Sequence, residues 1–300
     1  MAFAVKGGAC FVFSLSNARG SEFAHVRERV ARHREQAARR GPSVGIALSS
    51  GAARGLAHIG VLTALEQAGI EIDLIAGCSI GAVIGAVAAC GMGPHEMAKI
   101  ASQISRVRML AYTDITLPTK GLLSGQKVQQ FLKKLFGETP LEETAIPLVL
   151  AATDVLTGEE VVIDSGPIVD GVRASISIPG VFVPHKIAGR CLVDGGLVNP
   201  VPVDYLRAAG IDVCISVNVV PRVDRKYIKE PSAIDILLNA FDIMEHRVIL
   251  SKRQTPDVEI CPSVDRVSGV EFWRAPELIG LGMEAALGHI DDILELVAEQ

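Results

Sequence analysis

Between Asp73 and His95 the chain runs 21 residues without a charge, LIAGCSIGAVIGAVAACGMGP. That length is enough for a transmembrane helix, so this run constrains the fold more than any other stretch. Five glycines, at 77, 81, 85, 91 and 93, interrupt it. Ile72–Ala76 is a short apolar run that reads as a buried strand. Ser79–Cys90 reads as a buried helix, and Gly77-Cys78-Ser79-Ile80-Gly81 lies between the two. A strand, a tight glycine-flanked turn and a helix belong in a covered sheet, and no membrane span is then needed.

Composition agrees with a covered sheet. Hydrophobic residues make up 49% and charged residues 21%, at a mean hydropathy of +0.36, which excludes a disordered chain. Aromatics reach only 4%, so the apolar mass is Ala, Val, Leu and Ile, a mix suited to parallel strands under close-packed helices. The net charge of −5 offers no basic field to nucleic acid. Cys10, Cys78, Cys90, Cys191, Cys214 and Cys261 form no C-x-x-C pair, and no acidic cluster has calcium-loop spacing. Neither a metal nor a cofactor is therefore expected.

Strand and helix patterns alternate from Pro42 onward. Strands are expected at 44–48, 72–76, 148–152, 160–163, 191–194, 213–219 and 258–261. Helices are expected at 55–67, 79–90, 94–105, 124–136, 167–175, 203–209, 232–251 and 276–298. The alternation argues for an α/β domain with a mostly parallel central sheet over 42–300. Residues 1–41 are expected to form an N-terminal extension, disordered or carried over from an expression vector, whose string Gly20-Ser21-Glu22-Phe23 resembles a cloning scar. Its segment 24–40 is rich in arginine, at 27, 29, 32, 34, 39 and 40. With a thin apolar stripe of Phe23, Val26 and Val30, this segment reads as a solvated surface helix, the competing reading being a helix laid on anionic lipid.

Three loops carry chemistry. In Gly77-Cys78-Ser79-Ile80-Gly81, a strand-to-helix turn pushes Ser79 out of the sheet edge, the context of a nucleophile elbow. Gly77 and Gly81 remove side chains that would crowd the turn. Ser50-Gly51-Ala52-Ala53-Arg54-Gly55 follows the strand at 44–48 and fits neither a P-loop nor a dinucleotide fingerprint. Its small residues suit an oxyanion hole of backbone amides, or a plain tight turn. Asp194-Gly195-Gly196 closes the strand at 191–194. A serine needs a base, yet His58, His185, His246 and His289 sit in no motif. A carboxylate held against the serine can take the proton instead, which pairs Ser79 with Asp194.

The ordered blocks SSGAARGLAHIGVL, GCSIG, RASISIPGVFVP and VDGGLVNPVPV resemble the patatin-like phospholipase family, in particular its compact bacterial members and the esterase module of neuropathy target esterase. The resemblance is strong from Pro42 to Pro202 and loose beyond. It implies a three-layer α/β/α sandwich with the serine of G-x-S-x-G and the aspartate of D-G-[GA] as the catalytic pair, here Ser79 and Asp194. It implies an oxyanion hole among Gly51, Ala52, Ala53 and Arg54, with Gly55 completing the loop. The family's loop usually reads G-G-G-x-[RK]-G, and Ser50 and Ala52 replace its first and third glycines. Alanine is tolerable there unless φ must be positive.

The expected function is thus hydrolysis of lipid esters, phospholipid or lysophospholipid, through an acyl-enzyme on Ser79. The competing reading is a non-catalytic or weakly active lipid-binding regulatory protein, for which only the substituted loop speaks. Ile80, Leu122, Leu123, Val181 and Phe182 are candidates for acyl contact. No role falls to Arg173 or His185. The expected partner is the lipid ester itself, with a cytoplasmic location and no nucleic acid; peripheral contact with the inner membrane face through the basic segment is the alternative, and the residues leave the oligomeric state open.

Overall fold

The computed structural model describes residues 15–16, 23–105, 122–221, 233–252 and 255–298. The apolar stretch Ala9–Phe13, Cys10 and the start of the helix expected at 232 lie outside them. In chain order the elements are β1 (Leu15–Ser16), α1 (Ala24–Gln36), β2 (Val44–Leu48), α2 (Ala57–Gln67), β3 (Leu74–Cys78), α3 (Ile80–Ala89) and α4 (Pro94–Ala101). Then come α5 (Gln126–Phe136), β4 (Leu148–Asp154), β5 (Glu160–Ile163), α6 (Ile168–Ser175), β6 (His185–Ile187), β7 (Arg190–Asp194) and α7 (Val203–Ala208). The chain closes with β8 (Val213–Val217), α8 (Ala233–Ser251), β9 (Val258–Ile260), α9 (Ala275–Leu287) and α10 (Ile290–Ala298).

Five parallel strands in the order β4-β3-β2-β8-β9 make the centre of the sheet, as the alternation predicts. Antiparallel pairing is confined to one side, where β5 and β1 extend from β4 and the hairpin β6–β7 attaches to it. The residues of each central strand alternate between two buried faces. Ile46, Leu48, Ile75, Leu148, Leu150 and Ile215 pack under α2, α3 and α9. Ala47, Leu74, Ala76, Cys78, Val149, Ala151 and Cys214 pack under α1 and α7. Both faces are therefore covered, which is why the strands read as continuous apolar runs. Among the described residues no helix is long and apolar enough to cross a membrane. The 21-residue uncharged run resolves into β3, a turn, α3 and the first residue of α4.

The packed unit reaches back to Phe23, ahead of the boundary at 42 that the pattern suggests. Phe23, Val26 and Val30 are buried, and the Phe23 ring lies 5.6 Å from that of Tyr205 on α7. Nor is α1 a merely solvated helix. Arg29 is 7% exposed and donates to the carbonyls of Asp164 and Leu141 and to Thr144 Oγ1. Arg27 donates to the Ala208 carbonyl, while Arg34 and Arg39 grip the buried Asp73 at 2.6 and 2.9 Å. Four arginines of this segment, Arg27, Arg29, Arg34 and Arg39, serve the protein's own carbonyls and the carboxylates of Asp73 and Glu71.

Three further differences follow from packing. β3 starts and ends two residues later than expected, because Asp73 is taken by Arg34, Arg39 and the Val44 amide. The segment at His185, where no strand is expected, is a strand that pairs with β7. The single helix expected at 276–298 breaks at Gly288 and His289 into α9 and α10.

Candidate active site

β3 runs straight into Ser79, the residue between strand and helix. Its backbone sits at φ 53° and ψ −121°, a region that a residue with a side chain occupies only when its surroundings impose it. A Cβ at Gly77 would lie 2.7 Å from the Gly81 carbonyl, and one at Gly81 would collide with the Leu48 carbonyl. Helix α3 thus starts against the ends of β3 and β2, closer than any side chain permits.

β7 reaches the same place from the opposite direction. Cys78 at the end of β3 pairs with Ala151 of β4, and Asp194 at the end of β7 pairs with Ala152. The two strands lie along the same side of β4 and meet end to end. Ser79 Oγ donates to Asp194 Oδ2 at 2.6 Å. Asp194 Oδ1 accepts from the Gly196 amide at 2.9 Å, which fixes the carboxylate plane. Asp194 is fully buried and Ser79 is 5% exposed. Burial pushes the Asp194 carboxyl up to about 7, against the opposing pull of the hydrogen bonds from Ser79, Gly196 and Cys78. A carboxylate of that basicity is matched to proton transfer near neutral pH.

No histidine competes for the role among the described residues. His58 hydrogen-bonds the Ser49 carbonyl at 2.9 Å, and burial lowers its pKa to about 4. His185 lies against Asp170, and His289 against Asp292. No group of three His, Cys, Asp or Glu side chains among the described residues converges on a metal-sized site.

The oxyanion loop is narrower than the sequence suggests. The Ala53 amide donates to the Gly269 carbonyl at 3.0 Å and the Arg54 amide to the Gly51 carbonyl at 3.2 Å. These two donors are already used, which removes Ala53 and Arg54 from the expected set. The amides of Gly51 and Ala52 have no hydrogen bond among the described residues, and both residues line a cavity of about 10 Å³ together with Ser79. Ala52 sits at φ 51°, the left-handed conformation that the missing glycine would take without strain. Arg54 contributes its side chain instead. Its buried guanidinium donates to the Val267 carbonyl at 2.8 Å and reaches both oxygens of Asp242 on α8 at 3.1 and 3.2 Å.

Several residues of the site had no signal of their own. Ser175 Oγ accepts from the Ser79 amide at 3.0 Å and donates to the Ala151 carbonyl at 2.7 Å, so it holds the elbow to β4. Ser177 gives its carbonyl to the Asp194 amide and its hydroxyl oxygen to Arg173. The block containing Arg173, left without a role by sequence, is a scaffold for both the Ser79 and the Asp194 loop. The apolar cavity lining is Ile178, Leu238 and Phe241. None of Ile80, Leu122, Leu123, Val181 and Phe182 lines it; Ile80 fills the space beside Gly55, and Phe182 stacks under Arg173 at 5.2 Å. Glu245 of α8 also lines the cavity, fully buried, with Oε1 lacking a hydrogen-bond partner among the described residues. Burial, and then Asp194, hold its carboxyl well above the usual range.

Comparison with known proteins adds a lineage to this geometry. A family model described as patatin-like phospholipase matches residues 46–207. An uncharacterised NTE family protein of Mycobacterium tuberculosis is 39% identical over 178 residues, 59% of this chain and 49% of its own. A second NTE family protein of that organism is 30% identical over 281 residues, covering 86% of this chain and 48% of its own. Lysophospholipase nte1 of Aspergillus fumigatus is 34% identical over 183 residues, 60% of this chain and 12% of its own. The chain spans about half the length of the first relatives and far less of the fungal one. The solved structure of VipD from Legionella pneumophila overlaps 84% of this chain and 67% of its own, at 15% identity and a TM-score of 0.49.

Proposed function

The chain belongs to the patatin-like phospholipase family, and on that premise we propose that it is a serine acyl hydrolase of lipid esters, phospholipid or lysophospholipid. One observation carries the reading: Ser79 Oγ donates to Asp194 Oδ2 at 2.6 Å in a water-poor site where, among the described residues, no histidine is hydrogen-bonded to either.

In the first half-reaction Ser79 Oγ attacks the ester carbonyl carbon and its proton passes to Asp194. The carbonyl oxygen becomes an oxyanion held by the amides of Gly51 and Ala52. Collapse breaks the bond to the alcohol, which leaves with the proton from Asp194. In the second half-reaction Asp194 takes a proton from water as it attacks the acyl-Ser79 ester. The acid leaves, and Ser79 recovers its proton. Ile178, Leu238 and Phe241 give the acyl side an apolar wall.

The competing reading, a lipid-binding protein without turnover, draws on Ala52 in place of glycine. A fluorophosphonate probe separates the two. Wild-type protein is expected to label and Ser79→Ala to stay unlabelled; a wild type that resists the probe in the presence of detergent sinks the hydrolase reading. Turnover on phosphatidylcholine, lysophosphatidylcholine, monoacylglycerol and a short nitrophenyl ester then orders the substrates.

A further inference from the structure

Helix α8 lies across the catalytic end of the sheet. Near its start, Leu237 packs over Gly180; midway, Asp242 pairs with Arg54 at 3.1 Å and Glu245 packs against Gly196; at its end, Lys252 pairs with Asp204 at 3.0 Å. Its Leu238, Phe241, Asp242 and Glu245 close the cavity over Ser79. Ordinary surface helices turn apolar residues inward and charged residues outward. α8 does the reverse over part of its length. Two carboxylates, Asp242 and Glu245, face the site. The outward positions 236, 240, 243, 244, 247, 250 and 251 carry Ile236, Ala240, Ile243, Met244, Arg247, Leu250 and Ser251, five apolar residues, one cation and one hydroxyl. Ile236 and Leu250 are 56% and 64% exposed.

The same end of the molecule carries other exposed apolar groups. Leu122 is bonded through its amide to the Gly180 carbonyl, beside Leu237. Val155 and Leu156 follow the carboxyl end of β4, the end at which β3 delivers Ser79. Seven of the nine large hydrophobics exposed among the described residues therefore lie at the catalytic end or on the helix that crosses it. An apolar stripe of this kind marks an interaction surface.

We infer that the outer face of α8, with Leu122 beside it, docks the protein on a lipid surface with the mouth of the catalytic site turned toward the bilayer. The inference rests on the lipid-ester reading of the site. A lipid surface fits better than a protein partner for two reasons. The stripe borders the route to Ser79, so a protein seated on it closes the site, whereas a bilayer supplies the substrate there. Its single charge, Arg247, is the sign that suits phosphate headgroups. The cavity beneath α8 has room for about one water. Entry of a lipid ester thus needs α8 to move outward, and the apolar stripe finds a partner in the acyl layer as it does so. Glu245 gains from the same movement, since its unpartnered oxygen returns to polar surroundings.

The test uses the full chain carrying Ser79→Ala, so that vesicles stay intact, and co-sedimentation with mixed phosphatidylcholine and phosphatidylglycerol vesicles. The double variant Ile243→Glu/Leu250→Glu is expected to lose about tenfold or more in vesicle partitioning, because two exposed apolar side chains are replaced by charges. On the Ser79 background these same substitutions are expected to keep labelling by the fluorophosphonate probe, since both side chains point away from the site. Unchanged partitioning of the double variant overturns the docking surface. So does a dimer in sedimentation velocity that the double variant abolishes, because the stripe then belongs to a second copy of the chain. A wild type that binds vesicles through the stripe but never labels at Ser79 defeats the hydrolase reading and leaves the docking result standing.

Discussion

Ser79 and Asp194 are 115 residues apart and share a 2.6 Å hydrogen bond because β3 and β7 abut end to end along one side of β4. β3 stops at the partner of Ala151 and β7 stops at the partner of Ala152. A parallel strand delivers Ser79 and an antiparallel strand delivers Asp194, one residue of β4 apart. The dyad geometry is thus a property of sheet register, which side-chain rotamers only refine. Register is fixed by the buried alternation on both faces, so the pair is placed by the same forces that fold the domain.

The proposed mechanism needs Asp194 ionised. Burial holds its carboxyl at about 7, so kcat/KM on a soluble nitrophenyl ester is expected to fall about tenfold per pH unit below that value and to level off above it. The rate of fluorophosphonate labelling should follow the same limb. An acid limb near the ordinary aspartate value would show that Asp194 is more solvated than the closed site implies.

The same shift makes Asp194 a cost to the fold at high pH. Its folded value of about 7 lies above the ordinary 3.8, so the folded state holds the proton longer. Stability from this group is fully present below the ordinary value and is lost as pH rises through 7, by about 4 kcal/mol at the upper bound. Asp194→Asn is expected to lower turnover by about 10² to 10⁴. It should also melt above wild type at about pH 8, with the gap closing toward pH 4. Urea midpoints across that range check the sign.

Ala52 occupies φ 51° where a glycine is strain-free. Ala52→Gly is expected to keep activity and to change stability by no more than about 1 kcal/mol, relief of strain offsetting the looser unfolded chain. Ala52→Val places a β-branched residue in the same conformation and should shift the amide out of the cavity. Loss of one oxyanion donor typically lowers kcat about 10²-fold or more, so labelling and turnover should fall together.

Helix α1 is part of the folded unit. Removing residues 1–41 strips Phe23, Val26 and Val30 from the core, each worth about 1.5 to 3 kcal/mol, a sum comparable to the stability of a whole domain. That truncation is expected to be insoluble, while one that begins just before Phe23 folds. Arg29→Met should cost about 3 kcal/mol, because the carbonyls of Asp164 and Leu141 lose a buried charged donor. A truncation at 42 with an unchanged urea midpoint would remove α1 from the core.

The turn at Ser79 was readable from local pattern, and Asp194 only in combination with it, since an Asp-Gly turn at a strand end is common by itself. The α1 arginines were not. Their spacing is the same whether they meet lipid, water or carbonyls, and their acceptors lie as far off as Asp164. α8 is similar: its periodicity announces an amphipathic helix, but with apolar residues on more than one side, only its neighbours decide which side is covered.

The amino-acid sequence by itself determined the strand-turn-helix at Ser79, the turn at Asp194 and the covered parallel sheet, because periodicity and glycine placement act over a few residues. Only the tertiary structure decided which amides of the 51–54 loop remain available, that Ala52 takes a glycine's conformation, and that α8 turns carboxylates inward and an apolar stripe outward. Each of those depends on a hydrogen bond or a close contact with a distant segment, such as Gly269 on the Ala53 amide or Arg54 on Asp242. Contacts of that kind leave no periodic trace in the chain; they exist only once the sheet has set the register that brings the partners together.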